Sequence, residues 1–250
     1  MATDSSLVQA IPTDRMENEN LKSKSKTRTR KFLRFLLLVT VSLLALLFVI
    51  RQVWRFSGSN QWELVGEKNG VRVYSLKAPG SDLEQFKGVF RVHSTLAGLV
   101  RYFQDQDACK DVGCINAHEI ERVDDQLQYA SFQYKLPFPF RTREFVVRQQ
   151  FYQNPHTKEV LAEYVAAPDK TPPDECCFRV TNMNNRWRLT PLENGEVEVE
   201  YIMDMNEGGF MPDLLSNVSR PQIFFLLPNL QRWVSKEKYQ SAKVDFIKEK

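Results

Sequence analysis

Residues 32–50, FLRFLLLVTVSLLALLFVI, decide how the chain is organised, because they separate it into two unlike parts. Arg34, near the start, is the one charged residue in this run. As a helix with about 1.5 Å of rise per residue, the run would be roughly 28 Å long, close to the ~30 Å hydrocarbon core of a bilayer. The sequence after it has the mixed polarity of a soluble domain. We therefore predict one transmembrane helix, residues 32–56, followed by a globular domain, residues 57–250.

Charge is distributed unevenly between the two parts. Residues 1–56 carry ten Lys and Arg against four Asp and Glu, whereas residues 57–250 carry 24 against 27. The pI of about 8.6 therefore reflects the flank of the apolar run. The globular domain is mildly acidic, with charges of both signs interspersed, so we expect no nucleic-acid partner.

Basic residues cluster before the apolar run, and only Arg51 and Arg55 follow it closely. The cluster consists of Lys22, Lys24, Lys26, Arg28, Arg30, Lys31 and Arg34. The positive-inside rule then predicts a cytoplasmic N-terminus, with the domain on the opposite, periplasmic or lumenal, side. The inverse orientation stays open, since Arg51 and Arg55 weaken the asymmetry.

A cleaved signal peptide is the competing interpretation of the run. Its apolar region would be unusually long, and no A-x-A cleavage site follows it. Trp54 and Phe56 are typical of a membrane interface, which favours an uncleaved anchor. Residues 1–31 are polar, rich in Ser, Thr and Lys, and are predicted to form a disordered tail. That tail either contacts anionic lipid with its basic end or only sets the topology.

Four cysteines, Cys109, Cys114, Cys176 and Cys177, lie in the globular part. In an oxidising compartment, a bridge between Cys109 and Cys114 is plausible. A zinc site is disfavoured, because C-x4-C with an adjacent cysteine pair matches no usual zinc spacing. We expect neither a metal nor a cofactor.

The pattern after a short Ser/Gly/Asn joint, residues 57–61, is one of successive strands. In the last of them, four apolar residues alternate with three glutamates, which is typical of a half-buried strand. Strands are predicted for residues 71–76, 85–92, 118–122, 127–134, 144–152, 159–166, 186–189 and 196–204.

Two stretches have helical periodicity instead. Residues 94–104 carry apolar side chains at helical spacing, and Ser94 is placed to cap the N-terminus. Residues 212–236 form a strongly apolar helical surface, in which Pro221 and Pro228 are predicted to kink or break the helix. Strands, a helical insertion, a long run of antiparallel strands and a final amphipathic helix together predict an α+β fold.

Four strings, occurring in the same order, resemble START (StAR-related lipid-transfer) domains over roughly residues 61–234. They are WELV at 62–65 with KNGVRVY at 68–74, LPFPFRTREFV at 136–146, WRLTP at 187–191, and EGGFMP at 207–212 with LLSN at 214–217. The resemblance implies a helix-grip fold, in which a curved antiparallel sheet wraps around a long C-terminal helix and leaves a lipid-sized tunnel. START domains bind sterols, phospholipids or ceramides, and many carry lipid between membranes.

The chain departs from this family pattern in two respects. The two prolines lie in the helix that would cover the tunnel, where an unbroken helix is expected. A membrane anchor is also not a general feature of the domain. Related folds of the wider superfamily act as cyclases or hydrolases, so the fold alone does not determine the function.

Apolar side chains on the inward strand faces and on the final helix are the candidates for lining the tunnel. They are Phe132, Tyr134, Phe145, Val147, Trp187, Tyr201, Met203, Leu214, Leu215 and Val218. Ordinary core packing would explain any one of them equally well. Burying an acyl chain against them would contribute about 0.8 kcal/mol per methylene.

Arg188 and Asp204, on neighbouring strands, are the candidates for binding a polar head group. A buried charge needs a partner, so a few polar groups must accompany an apolar tunnel. The alternatives for these two are a structural ion pair or plain solvent exposure. Arg141, Arg143 and Glu144 are predicted to fix a turn rather than to hold a ligand.

Catalytic motifs are missing from the sequence. His93, His118 and His156 are scattered, and there is no H-E-x-x-H, nucleophile elbow, P-loop or G-x-G-x-x-G. We therefore predict a monomeric, membrane-anchored lipid-binding protein that is not an enzyme and that transfers or senses lipid locally. The alternatives are a cyclase-like or hydrolase-like enzyme, which needs a convergent polar cluster in the tunnel, and an interaction module with a solid interior.

Overall fold

A computed structural model describes residues 13–81, 84–206, 208 and 219–250. The chain divides into two compact units, one reaching Trp54 and the other spanning Arg55–Lys250.

The first unit is a single helix, α1 (Thr13–Phe56). Its segment Lys31–Phe56 is long and apolar enough to cross a membrane. The side chains of residues 32–50 are all exposed. The helix begins inside the segment predicted to be disordered, where Lys, Arg, Glu and Met are good helix formers. Residues 1–12 of that segment lie outside the described residues.

The described residues of the second unit form eleven strands, three further helices and three 3₁₀ helices. The strands are β1 (Glu63–Lys68), β2 (Val71–Leu76), β3 (Gln85–His93), β4 (Ile115–Arg122), β5 (Leu127–Tyr134), β6 (Arg143–Gln153), β7 (Val160–Ala166), β8 (Phe178–Arg179), β9 (Asn182–Pro191), β10 (Glu196–Met203) and β11 (Met205–Asn206). The helices are α2 (Leu96–Gln104), α3 (Ser219–Val234) and α4 (Glu237–Gln240), with 3₁₀ turns at Gln106–Val112, Pro168–Lys170 and Glu193–Gly195.

The strands form one curved, mainly antiparallel sheet in the order β1-β2-β3-β10-β9-β7-β6-β5-β4. Two short strands lie off this path: β11 pairs with β9, and β8 pairs in parallel with β6. Strand β10 lies between β3 and β9, so the last long strand joins the N-terminal strands to the rest of the sheet. The predicted α+β class, with an antiparallel sheet and a C-terminal helix, is confirmed.

Alternation along β10 sorts its side chains as predicted. The four apolar residues are buried. The glutamates between them face the other side, where Glu198 lies 3.6 Å from Arg91 and Glu200 lies 3.6 Å from Lys87. A charged outer face beside an apolar inner face fixes the register of the strand, because a one-residue slip would bury the glutamates.

All eight predicted strands are present, with small changes at their ends. Strand β1 was missed because its alternation is broken by a bulge between Leu64 and Gly66. The N-cap prediction was wrong: Thr95, not Ser94, caps α2, and its hydroxyl accepts a hydrogen bond from the Gly98 amide at 3.0 Å. The helix begins at Leu96, so the residue directly before it, in the cap position, is Thr95, whose backbone is extended.

Neither proline breaks α3. Pro221 lies two residues after the first described residue of the helix, in a turn whose amides have no intrahelical acceptor. Pro228 lies inside the helix and removes one hydrogen bond. Beside that gap, the Asn229 side-chain amide donates to the Phe225 carbonyl at 2.7 Å. The predicted helical residues 212–218 lie outside the described residues.

Helix α3 packs against β2 and β3. The contact is close because Gly88 on β3 has no side chain. A Cβ atom there would lie 2.5 Å from Cγ2 of Ile223 and closer still to Cδ1 of Leu227. Both helix residues are fully buried, so the space cannot be recovered by a rotation into solvent. Glycine at this position therefore lets the helix lie directly on the strand.

We expect Gly88→Ala to lower the free energy of unfolding by about 1–3 kcal/mol, because it overpacks this contact. Leu227→Ala alone should lower it by about 2–5 kcal/mol by leaving a cavity. In the double variant the new methyl group occupies space vacated by Leu227, so the two losses should not add. Thermal or denaturant unfolding of the full chain in detergent measures all three. Strict additivity would show that the close approach does not limit stability.

Candidate ligand-binding site

A cavity of about 600 Å³ lies in the second unit, between the sheet, α2, the first 3₁₀ helix and α3. This volume is within the range of small-molecule sites, about 300–1,000 Å³. The described residues that line it come from strands on the β4–β10 side of the sheet, whereas α3 packs closely on β2 and β3. The space therefore opens where the helix and the curved sheet diverge.

The wall of the cavity is largely apolar and rich in aromatic rings. Phe132 and Phe145 stack with their ring centroids 5.0 Å apart, and Trp187 and Tyr201 stack at 3.9 Å. Paired rings hold one another in fixed orientations, and such pairs add to stability beyond the area that they bury. The aromatic lining residues are Tyr102, Phe103, Phe132, Tyr134, Phe145, Tyr164, Trp187, Tyr201, Phe225 and Trp233.

Six of the residues predicted to bind ligand line this cavity: Phe132, Tyr134, Phe145, Trp187, Tyr201 and Met203. Val147 is buried in a core cluster with Phe145 but does not line the cavity. Leu214, Leu215 and Val218 lie outside the described residues. Contact of any of these side chains with a ligand stays a prediction.

The two polar candidates lie away from the cavity. Arg188 is half-exposed, with its Nε 3.6 Å from Glu159 Oε1 and its Nη1 3.8 Å from Glu200 Oε1. This is the structural ion pair considered as the alternative. The Asp204 carboxylate accepts a hydrogen bond from Gln85 Nε2 at 2.9 Å. Burial raises the pKa of Asp204, although the charge of Arg186 opposes the shift.

Arg143, which was assigned to a turn, lines the cavity and is 2% exposed. It is the first residue of β6, two positions before the inward-facing Phe145. The period of two along the strand could have placed it inside. Its Nη1 donates to the Arg141 carbonyl at 2.8 Å, and its Nη2 donates to the Gly208 carbonyl at 2.9 Å.

The neighbouring acid, Glu144, is paired with Arg179. Arg179 Nη2 lies 2.7 Å from Glu144 Oε1 and Nε lies 3.0 Å from Oε2, with both side chains buried. Arg179 also donates to the carbonyls of Pro168, Thr171 and Pro172. This two-pronged pair fixes the segment after β7 against β6, which is a structural role for Glu144.

Both cysteine pairs form disulfides. The bridge between Cys109 and Cys114, considered from the sequence, is present, and both residues line the cavity. The adjacent residues Cys176 and Cys177 form a second bridge, which was not predicted. Asp174 lies close to this second pair. Disulfide sulfurs are not thiolates, so this cluster gives no support to a metal site.

Three tyrosine hydroxyls face the interior and differ in their hydrogen bonds. Tyr164 donates to the Phe103 carbonyl at 3.2 Å, and the Tyr201 oxygen accepts from Asn185 Nδ2 at 3.0 Å. The Tyr102 hydroxyl is buried without a hydrogen-bond partner among the described residues. Burial raises the pKa of all three well above its usual range. The phenols therefore stay neutral and act as polar contacts.

Comparison with solved structures identifies the architecture. A STAR-related lipid transfer protein of Xanthomonas axonopodis is 23% identical, with a TM-score of 0.64, covering 70% of this chain and 99% of that one. The human StarD13 lipid transfer and protein localization domain is 12% identical, with a TM-score of 0.62 over 71% and 90% of the two chains. Human StAR-related lipid transfer protein 5 is 16% identical, with a TM-score of 0.59 over 71% and 88%.

The chain has the START fold. The predicted resemblance is thereby confirmed at the level of architecture. No family model matches the sequence. An uncharacterised protein of Pseudomonas aeruginosa is 22% identical over 160 residues, which are 64% of this chain and 79% of that protein.

The end of this START fold is tied to the cavity by α4. Asp105, which lines the cavity, receives hydrogen bonds from Lys238 Nζ at 2.6 Å and from the Tyr239 hydroxyl at 2.8 Å. Partial burial of Asp105 favours its neutral form, but the bonds from Lys238 and Tyr239 outweigh this effect and lower the pKa. The ionised carboxylate thus holds the C-terminal segment against the 3₁₀ helix that borders the cavity.

Asp105→Asn should lower the melting temperature near neutral pH and have little effect in acid. A carboxyl whose pKa is lowered on folding stabilises the fold above its unfolded value, about 3.9, and loses that contribution as pH falls through the folded value. The loss relative to the unmodified chain should therefore shrink below about pH 4. Circular dichroism melts from pH 3 to 7 measure it.

Asp107→Asn is the matched control, because Asp107 pairs with Lys110 on an exposed surface. We expect it to change stability little at any pH, since exposed ion pairs are weak and screened. Identical pH profiles for the two variants would contradict the assignment of Asp105.

Proposed function

We propose that this protein is a membrane-anchored lipid-binding protein that holds a lipid or another apolar ligand inside its START domain. One observation carries the proposal: a 600 Å³ cavity with a mostly apolar wall, rich in aromatic rings, lies between the sheet and α3. A packed core would leave few voids larger than a water molecule. The fold alone would not settle the matter, because one architecture serves many functions.

The energetics of such a site suit exchange with a bilayer. An acyl chain entering the cavity leaves one apolar medium for another, so each methylene retains the roughly 0.8 kcal/mol that it gains by avoiding water. The difference between the two states is then small, and ligand can move in either direction. That property fits local transfer or sensing better than permanent storage.

Filling the cavity should abolish ligand retention. Ala117 lines the cavity from β4, near an edge of the sheet, so a larger side chain there can be accommodated with little movement of the backbone. We expect Ala117→Trp to remove co-purifying lipid from the full chain while leaving it folded. Lipid extraction followed by mass spectrometry, with a melting curve for each variant, measures both properties.

His118→Trp is the matched control, since His118 is the next residue on β4 and is exposed. It adds a tryptophan of the same size without entering the cavity, and should retain lipid. Equal lipid content in both variants, or none in the unmodified chain, would end the proposal that the cavity holds a ligand.

The setting of the domain is part of the proposal. We place α1 across the membrane with the N-terminus in the cytoplasm and the monomeric domain on the periplasmic or lumenal side. The two disulfides support an oxidising compartment. The short joint after α1 limits the distance that the domain can reach and raises its local encounter rate with the same membrane.

Protease accessibility in sealed vesicles distinguishes this orientation from its inverse. The mass of the mature chain distinguishes an anchor from a cleaved signal.

A loop beside the cavity offers a route for exchange. Leu136 and Lys135 line the cavity at the end of β5, and Phe138, two residues further on, is 97% exposed. An exposed aromatic ring next to a basic residue is suited to the membrane interface. We propose that this loop meets the bilayer when ligand enters or leaves.

Phe138→Ser should slow transfer between vesicles several-fold without changing the amount of ligand bound at equilibrium. The ring takes part in the encounter and does not line the cavity, so only the rate depends on it. Stopped-flow transfer of a fluorescent lipid measures the rate. Val123→Ser is the control, because Val123 is also exposed but precedes β5 at its opposite end. Equal slowing by both substitutions would rule out a specific role for the loop.

A further inference from the structure

The cavity wall carries one buried charge. Among the described residues that line the cavity, three are charged: Asp105, Lys135 and Arg143. Asp105 is already bound by the C-terminal segment, and Lys135 is exposed at the rim. Arg143 is 2% exposed, so its guanidinium is the charge that the interior must accommodate.

Every described partner of Arg143 is neutral. Two of its five N–H groups donate to backbone carbonyls, and its Cζ lies 5.1 Å from the centroid of the Phe178 ring. Its Nε is buried without a hydrogen-bond partner among the described residues. Among the described residues, no acidic side chain forms an ion pair with Arg143. The adjacent Glu144 is paired with Arg179 instead.

This environment is unusual for a guanidinium. An ion removed from water is strongly disfavoured unless a counter-charge and hydrogen bonds replace the solvent. Arg179, a few ångströms along the same sheet, has both. Among the described residues, Arg143 has hydrogen-bond acceptors but no counter-charge, and three of its N–H groups, including the one on Nε, have no acceptor. Arginine is the side chain that binds carboxylates and phosphates most effectively, often through two parallel N–H groups.

We propose that the ligand of this cavity is an amphiphile with an anionic head, a carboxylate or a phosphate, which binds Arg143 while its apolar chain lies along the aromatic wall. The inference rests on the proposed lipid-binding function and specifies its ligand class. The anion supplies the counter-charge that the described residues lack. The Tyr102 hydroxyl, also buried and unpartnered in the cavity, is a second polar contact for the ligand.

The test uses the full chain in detergent and ligands that differ only in the head group. Dansyl-undecanoic acid is compared with its methyl ester, and lysophosphatidic acid is compared as a competitor with the monoacylglycerol of the same chain. Inorganic phosphate alone is a further competitor. Energy transfer from tryptophan reports binding in the cavity, because Trp187 and Trp233 line it.

The unmodified chain should bind the acid at least about tenfold more tightly than the ester, and Arg143→Met should weaken binding of the acid roughly 10- to 100-fold, since hydrogen bonds to charged groups are the strong ones. Binding of the ester should change little. Arg143→Lys keeps the charge and should retain part of the preference. Arg148→Met, on the outward face of the same strand, should behave like the unmodified chain. Inorganic phosphate should not compete, because it lacks the apolar chain.

Among the acidic residues outside the described part of the chain, the two nearest in sequence to Gly208, Glu207 and Asp213, complete the design. If either one were the counter-charge of Arg143, then Glu207→Gln or Asp213→Asn would free the guanidinium and tighten binding of the acid at least about tenfold; that result would overturn the proposal. Equal binding of acid and ester, unaffected by Arg143→Met, would also overturn it while leaving lipid binding intact. Competition by inorganic phosphate at the same concentration would show an anion site without an amphiphile, again against the proposal. Failure of every amphiphile to bind would instead refute the lipid-binding function itself.

Discussion

The close approach of α3 to β3 at Gly88 is the constraint on which the rest of the domain depends. With no side chain at that position, Ile223 and Leu227 lie directly against the strand, and the helix is fixed on the β2–β3 side of the sheet. The sheet then curves away from the helix through β10 and β9 toward β5. A gap is left on that side because one helix cannot follow the whole curve. The cavity is thus a consequence of where the helix is held.

The side chains that line the cavity determine which ligands it can hold. Stacked aromatic rings give it a rigid apolar wall, and the buried tyrosines stay neutral because burial raises the pKa of each. None of the three histidines lines the cavity, so among the described lining residues there is no imidazole base. These properties suit an apolar ligand. The guanidinium of Arg143, at the start of β6, is the one enclosed charge among the described lining residues.

Much of this architecture could be predicted from the sequence, because period-two alternation identifies both a strand and its buried face. That is how eight of the nine strands on the main path of the sheet, and the inward position of Tyr201, were found. The same pattern could not distinguish a cavity wall from a packed core. Phe145 and Val147 share one face of β6, yet only Phe145 borders the cavity. The difference arises from how far α3 and the first 3₁₀ helix lie from each position, which is a long-range property of the fold.

Arg188 and Arg143 differ in a similar way: one arginine is half-exposed and the other is buried. The sequence favoured Arg188, because it lies within a clear strand and Arg143 follows a proline-rich turn. In the structure Arg188 is half-exposed between two glutamates, where water already solvates its charge. Arg143 is enclosed and has only neutral described partners, so a ligand anion can improve its environment. An exposed pair gains little from a further charge, whereas an enclosed ion gains much. The strand period gives the inward face of Arg143, but its degree of enclosure, which decides which of the two can recognise a ligand, depends on the long-range fold.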